Sequence, residues 1–343
     1  MVRVLLEFTV AKILVTGAAG FIGFHTSLAI SRQFKYEVVG VDSMSPAHPT
    51  ELTDVRLRTL KSNNIKVIEI DLAHVGYSEL LQKFGKCDLI LHLAAFPGVR
   101  VSKSQEPQVL KNNVLSFETI VDFANKTSAK LVYASSSSVY GDNALISACK
   151  ESELKSFAGK GSYALSKWEN ELHAISMMKN SDLRSIGLRL FSVFGTYGRE
   201  DMAYFKFANH FLHNLPIQIF GSLNDLRDYT PVKFVVDDVL EIIELFLADS
   251  NVISEGFLQD GSLPVLNIGS GNPRALSEIL RFYETYFDKK VKIIDESRLV
   301  MESLKTWSNN DKRDRILRPR DEISFESSLA EFLQWFEGYS KNA

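Results

Sequence analysis

The chain has 343 residues, more than the usual 100–200 of a single domain, and its 45% hydrophobic and 24% charged residues exclude a disordered or fibrous protein. Thirty-nine Lys and Arg against 42 Asp and Glu give a net charge of -3, which offers no global attraction to nucleic acid or to an anionic membrane. Two cysteines, Cys87 and Cys149, are too few for a disulfide framework or a cysteine-built metal cage, and suit a reducing compartment.

Met1–Val10 is interrupted by Glu7 and has no small-residue cleavage site, so no signal peptide is expected. No apolar run approaches the roughly 20 residues that span a bilayer. A cytoplasmic protein follows. From there, continuous apolar, β-branched runs predict strands at Lys12–Thr16, Tyr36–Asp42, Ile65–Asp71, Asp88–Leu93, Leu131–Ser135 and Arg184–Phe191. Amphipathic stretches predict helices near Phe21–Phe34, Glu51–Asn63, Gln105–Lys126 and Ser162–Met178. Such alternation predicts an α/β fold, a doubly wound parallel sheet of the Rossmann kind.

After Phe191 the rhythm changes. Helices near Ala203–Asn214 and Asp237–Ala248 flank a Gly-, Asn- and Asp-containing stretch, Phe220–Tyr229. A strand Val265–Ile268, a helix after Pro273 and a last helix near Phe325–Phe336 complete the chain. We expect one half made of residues 11–190 plus about 229–268, and a smaller lobe made of about 191–228 plus 269–343, with a substrate in the cleft between them.

The first strand runs into Gly17-Ala18-Ala19-Gly20-Phe21-Ile22-Gly23 and then a helix. Gly17 and Gly20 suit a tight turn and close approach of a pyrophosphate, Gly23 close helix–strand packing, and the helix N-terminus offers free N–H groups. Asp42, 22 residues after Gly20, is placed to accept the adenosine ribose hydroxyls. It would repel a 2′-phosphate, which favours NAD over NADP; the plain alternative is a strand-terminal Asp capping a turn. Asp71 and Leu72, ending the third strand, are placed to reach the adenine or simply start a loop.

In Tyr163-Ala164-Leu165-Ser166-Lys167 the i, i+4 spacing puts Tyr163 and Lys167 on one helix face. An ammonium beside a phenol favours the phenolate, a usable general base; the alternative is a surface pair. Ser135–Ser138 end a buried strand at the edge where ligands bind in open α/β sheets, and could hold a substrate hydroxyl. The seven histidines show no ligand spacing, and no metal is expected.

Taken together, the glycine motif, Asp42, Leu93-Ala94-Ala95, Asn113, the serine-rich strand end and Tyr163/Lys167 resemble the extended short-chain dehydrogenases/reductases, over roughly Lys12 to Trp335. Within them the chain is most similar to nucleotide-sugar 4-epimerases, UDP-glucuronate 4-epimerases above all, in His92–Ser102, Val132–Gly141 and Gly187–Phe207. The resemblance implies NAD-dependent inversion at carbon 4 of a nucleotide sugar through a transient 4-keto sugar. It implies Tyr163 as base, Lys167 as its partner on the nicotinamide ribose, and Ser136 with Ser137 on the reacting hydroxyl. It assigns Gly17, Gly20, Phe21, Ile22, Gly23, Asp42, Asp71, Leu72, Leu93, Ala94, Ala95 and Asn113 to NAD.

For the substrate it implies Arg227 and Arg298 on the diphosphate, and Arg100, Ser137, Ser138, Ser192 and Arg199 around a sugar carboxylate. UDP-glucuronate is therefore preferred over UDP-glucose or an N-acetylated sugar. A homodimer built on the helices near Gln105–Lys126 and Ser162–Met178 is a further implication. Dehydratases and decarboxylases begin with the same oxidation but resemble patterns with acids where this chain has Ser136, Ser137 and Ser138. A non-catalytic NAD-binding scaffold is disfavoured by the retained Tyr163 and Lys167. Two departures fall in the substrate lobe: Pro231–Phe234 intervene before Val235-Val236-Asp237-Asp238, and the usual Pro-Gly-Asp near the C-terminus is missing.

Overall fold

The computed structural model describes residues 10–341 apart from 34, 45–50, 97–103, 250–262 and 298–302. Strands β1 (Ala11–Thr16), β2 (Tyr36–Asp42), β3 (Lys66–Glu69), β4 (Leu89–His92), β5 (Lys130–Ser136) and β6 (Ser185–Leu190) join Val265–Ile268 in one seven-stranded sheet. Every pairing in it is parallel. From one edge the order is Val265–Ile268, β6, β5, β4, β1, β2, β3, so the winding reverses between β1 and β4. That reversal opens a crevice at the carboxyl ends of these strands.

The alternating strand residues explain the layers. Ile13, Val15, Leu89 and Leu91 face helices α1 (Phe21–Ser31) and α7 (Val232–Leu247), packing on Val235, Val239, Ile242 and Phe246. Leu14, Ile90, Leu131 and Tyr133 face the other way, onto α4 (Glu106–Thr127) through Phe117, Ile120 and Val121. Helix α5 (Gly161–Asn180) lies beside α4 on that same face.

Several elements differ from expectation, two of them near the sheet. Helix α3 (Tyr77–Phe84) was not predicted; it is short, and only Leu80 and Phe84 are buried, a stripe too brief to stand out as periodic. Helix α7 begins at Val232, not at Asp237, and the Pro231–Phe234 departure is where it starts. Pro231 is its N-cap residue, and a proline at a helix start gives up an N–H that would have no partner there. Val232, Val235 and Val239 then continue one buried stripe into the sheet.

The remaining residues build a smaller assembly. Ser192–Phe194 pairs with Tyr229–Pro231, Leu226–Arg227 with Arg274–Ala275, and Ile217–Phe220 with Ile293–Glu296. The Phe220–Tyr229 stretch, expected as a connection, thus carries short strand pairs. Phe194, Tyr204, Phe205, Phe211, Tyr283 and Phe332 fill an aromatic core with α6 (Ala203–His213). Leu52 of α2 (Glu51–Ser62) is fully buried in it, so α2 reaches from the sheet side into the lobe.

Candidate active site

Gly17 has φ +70, and a Cβ there would sit 2.8 Å from Ala94 N; a Cβ on Gly23 would sit 2.0 Å from Gly17 O. The turn is wound so tightly that only glycine fits. Phe21 opens α1 directly after it, with Gly20 at the N-cap and no side-chain cap, leaving the first N–H groups to a ligand. Asp42 accepts from Ala19 N at 3.0 Å and Met44 N at 3.2 Å. Burial pushes its carboxyl up, while those N–H groups and the Arg56 charge act the other way. Ala94 N donates to Thr16 Oγ1 at 3.2 Å, which fixes Leu93, Ala94 and Ala95 over the glycine turn. A wound glycine cradle, a free helix N-terminus and a carboxylate at the end of β2 fit the pyrophosphate and adenosine ribose of NAD.

Among the other cofactor residues, Phe21 and Leu72 are buried and Ile22 half-buried. Asp71 is half-exposed and accepts from Ala73 N at 3.0 Å, with His74 on its other oxygen. Asn113, fully buried, accepts from Phe96 N at 2.8 Å and donates to Ser166 Oγ at 3.1 Å. Its amide thereby clamps the end of the β4 loop onto α5.

Tyr163 and Lys167 lie one turn apart on α5 beneath the end of β5. Lys167 is buried and donates to Ala134 O at 2.9 Å, and burial lowers its ammonium to about 8. Its Nζ is 5.9 Å from the centre of the Tyr163 ring. Burial raises the Tyr163 phenol; the Arg199 charge and a hydrogen bond with Ser136 oppose the rise. Arg199 and Ser136 thus favour the phenolate, while the Lys167 ammonium lies over the Tyr163 ring and is hydrogen-bonded to a strand carbonyl.

Ser136 accepts from Ser138 N at 3.2 Å and from Ser138 Oγ at 2.9 Å, starting a 3-10 turn over Ser137–Tyr140. Ser136, Ser137 and Ser138 therefore cluster at the strand end near Tyr163. Ser135 does not join them. The pleat sends it to the opposite face, where it donates to Glu171 in the interior.

The sequence reading missed four buried polar residues. Glu171 receives Arg189 at 2.9 and 2.7 Å, both side chains being fully buried. Arg189 also donates to Tyr140 Oη at 2.8 Å, which donates to Asn267. His92 is buried with Nδ1 2.9 Å from Thr16 Oγ1, and burial with the Lys167 charge lowers it to about 3. Arg56 bonds the glycine turn. Two signals were available: Glu171 sits four residues beyond Lys167, and Arg189 interrupts an apolar strand. His92 and Arg56 carried none.

Of the expected substrate residues, Arg199 is partnered by Asp201 at 2.9 and 2.5 Å, which holds the Asp201 carboxyl below its usual range. Arg227 donates to Leu226 O and Leu304 O, both at 3.1 Å. Asp228 beside it is fully buried and accepts from Ser270 N, Gly271 N and Ser308 N at 2.7, 3.0 and 2.9 Å, tying three segments together under Arg227. Ser192 is half-buried at the strand pair with Tyr229. Arg100 and Arg298 lie outside the described residues. Among the described residues no group of three or more His, Cys, Asp or Glu is arranged to hold a metal, and no helix is long and apolar enough to cross a membrane.

Known proteins are similar to this chain over nearly its whole length. The UDP-glucuronate 4-epimerase of Thermodesulfobacterium geofontis is 30% identical over 94% of this chain and 95% of its own. The solved UDP-glucuronic acid 4-epimerase from Bacillus cereus, in complex with UDP-glucuronic acid and NAD, superposes with TM-score 0.83 at 26% identity, covering 96% of this chain and 99% of that one. The UDP-glucose 4-epimerase of Thermotoga maritima, 21% identical with TM-score 0.76 over 96% and 99% of the two chains, shares the fold. The pattern of the NAD dependent epimerase/dehydratase family matches residues 13–257, and this chain belongs to that family.

Proposed function

We propose that this chain interconverts UDP-glucuronate and UDP-galacturonate by NAD-dependent epimerisation at carbon 4. The observation that carries the reading is the cluster of Tyr163, Ser136 and Arg199, a general base flanked by a hydroxyl and by a cation suited to a sugar carboxylate. Relatives that are UDP-glucuronate 4-epimerases support it.

The glycine turn, α1 and Asp42 would hold NAD, and Lys167 would serve its nicotinamide ribose. When bound, NAD supplies reversible hydride transfer at carbon 4. Tyr163 takes the proton from the 4-hydroxyl, steadied by Ser136, and later returns it once the sugar presents its other face. Arg199 and Ser136 favour the phenolate that this step needs. Ser137 and Ser138 offer neutral hydrogen bonds and no acid to drive elimination. Arg227 holds the diphosphate through its planar donor fork, with Arg298 as the second cation, and Arg100, Ser192 and Arg199 take the carboxylate.

We assign residues 11–190 and about 229–268 to the cofactor half and the rest to the substrate lobe. A homodimer through α4 and α5 is part of the proposal; Leu172 on α5 is an apolar side chain left 42% exposed. The reaction is placed in the cytoplasm, in keeping with two buried, unpaired cysteines, Cys87 and Cys149. Incubation with UDP-glucuronate and UDP-glucose in turn, with products read by NMR, tests the reading. UDP-galacturonate from the first, at clearly higher kcat/KM, is expected. Preference for UDP-glucose, or a dehydrated or decarboxylated product, overturns it.

A further inference from the structure

Arg56 on α2 is a guanidinium only 5% exposed. Charges buried this deeply are ordinarily paired with a carboxylate. Here the bonds run to carbonyl oxygens. Nε and Nη2 donate to Tyr197 O at 3.1 and 2.7 Å, Nη2 to Gly198 O at 3.0 Å, and Nη1 to Ala19 O at 3.2 Å. One side chain thus bridges the cofactor turn and a loop of the substrate lobe.

That loop holds an unusual backbone. Tyr197 has φ +53, a left-handed conformation uncommon for a residue other than glycine, and two of the Arg56 bonds end on its carbonyl. A Cβ on Gly198 would sit 1.7 Å from Tyr204 Oη, so the chain has no slack there. Arg199 is the next residue. Its guanidinium is held by Asp201, and its charge reaches Tyr163. The Tyr197 ring packs on Phe24 and Trp335, with centroids 4.7 and 4.9 Å away. Burial lowers Arg56 to about 10, so it stays charged at neutral pH.

We propose that Arg56 is a specificity-positioning residue, which holds the 195–201 loop against the glycine turn so that Arg199 meets a sugar carboxylate. The inference rests on the uronate reading above. Arg56 touches neither the substrate nor the reacting atoms; it acts through the Tyr197 and Gly198 carbonyls on the placement of Arg199. A residue with this role controls discrimination between charged and neutral sugars, whereas a general clamp controls both sugars equally.

Arg56→Met and Arg56→Lys in the full chain, with apparent affinity for UDP-glucuronate and for UDP-glucose measured by competition and thermal stability followed in parallel, separate these roles. For Arg56→Met the affinity for UDP-glucuronate is expected to fall by about tenfold or more while that for UDP-glucose changes by less than about threefold. Arg56→Lys, which still reaches one carbonyl with a charge, is expected to lie between wild type and Arg56→Met, and is the deciding variant if Arg56→Met does not fold. Equal losses for both sugars, or an unchanged preference in Arg56→Lys and Arg56→Met alike, overturn the proposal. A wild-type protein without preference for UDP-glucuronate fails the functional reading itself, before any variant is compared.

Discussion

Glu171 and Arg189 meet in a bidentate ion pair at 2.9 and 2.7 Å with neither side chain reaching solvent. The pair binds α5, which carries Tyr163 and Lys167, to the strand next to the serine cluster. Ser135 on β5 and Tyr140 beyond the serines attach to the same two residues, so the helix of Tyr163 and the serine-rich strand end share one anchor. Removing one partner strands a buried charge. Arg189→Met is expected to cost about 3–5 kcal/mol, and the double variant Glu171→Met/Arg189→Met clearly less than the sum of the singles. Denaturant unfolding of the three variants checks this, and additive losses would refute the coupling.

Tyr163→Phe keeps the ring and removes the hydroxyl proposed as the proton acceptor. Turnover is expected to drop by about 10²–10⁴-fold with NAD still retained, since the glycine turn and Asp42 are untouched. Activity assays together with the cofactor content of the purified variant decide it; near-normal turnover would remove Tyr163 from its role.

Lys167 enters the fold with its ammonium lowered to about 8, against 10.5 in the unfolded chain. The unfolded state binds the extra proton between those values, so the burial penalty is complete below pH 8 and disappears as pH rises towards 10.5. Lys167→Met, which loses the bond to Ala134 O, is expected to be inactive yet at least as stable as wild type at pH 7, by roughly 1–2 kcal/mol at most. Its advantage should shrink at pH 9–10, as read from unfolding curves at several pH values.

On the proposed reading, Asp42 is the acid that a 2′-phosphate would meet. Asp42→Ala removes that repulsion together with the bonds to Ala19 N and Met44 N. Binding of NAD should weaken, and the NAD-to-NADP affinity ratio should fall by about tenfold or more, roughly 1.4 kcal/mol. Titration with both cofactors tests it.

Much of this protein was legible without coordinates because the relevant physics is local. The predominantly apolar runs over Tyr36–Asp42 and Val265–Ile268 coincide with the observed strands, since strands packed inside a doubly wound sheet bury mostly apolar side chains. The glycine turn and the Tyr163/Lys167 spacing were readable for the same reason: each needs its residue types within a few positions. Helix α7 was misjudged because Pro231 reads as a break in a sequence, yet a proline is welcome where a helix begins.

The tertiary structure alone decided the rest. That Lys167 bonds the Ala134 carbonyl, and that Ser135 turns to Glu171 and does not join Ser136, depends on how α5 lies across β5, and no spacing encodes that. Arg199 pairs with a neighbour two residues away, but the backbone just before it is bonded by Arg56, 143 positions earlier in the chain. A buried cation whose partners are backbone carbonyls leaves no signature in side-chain pattern, because every residue in the chain carries the same carbonyl group.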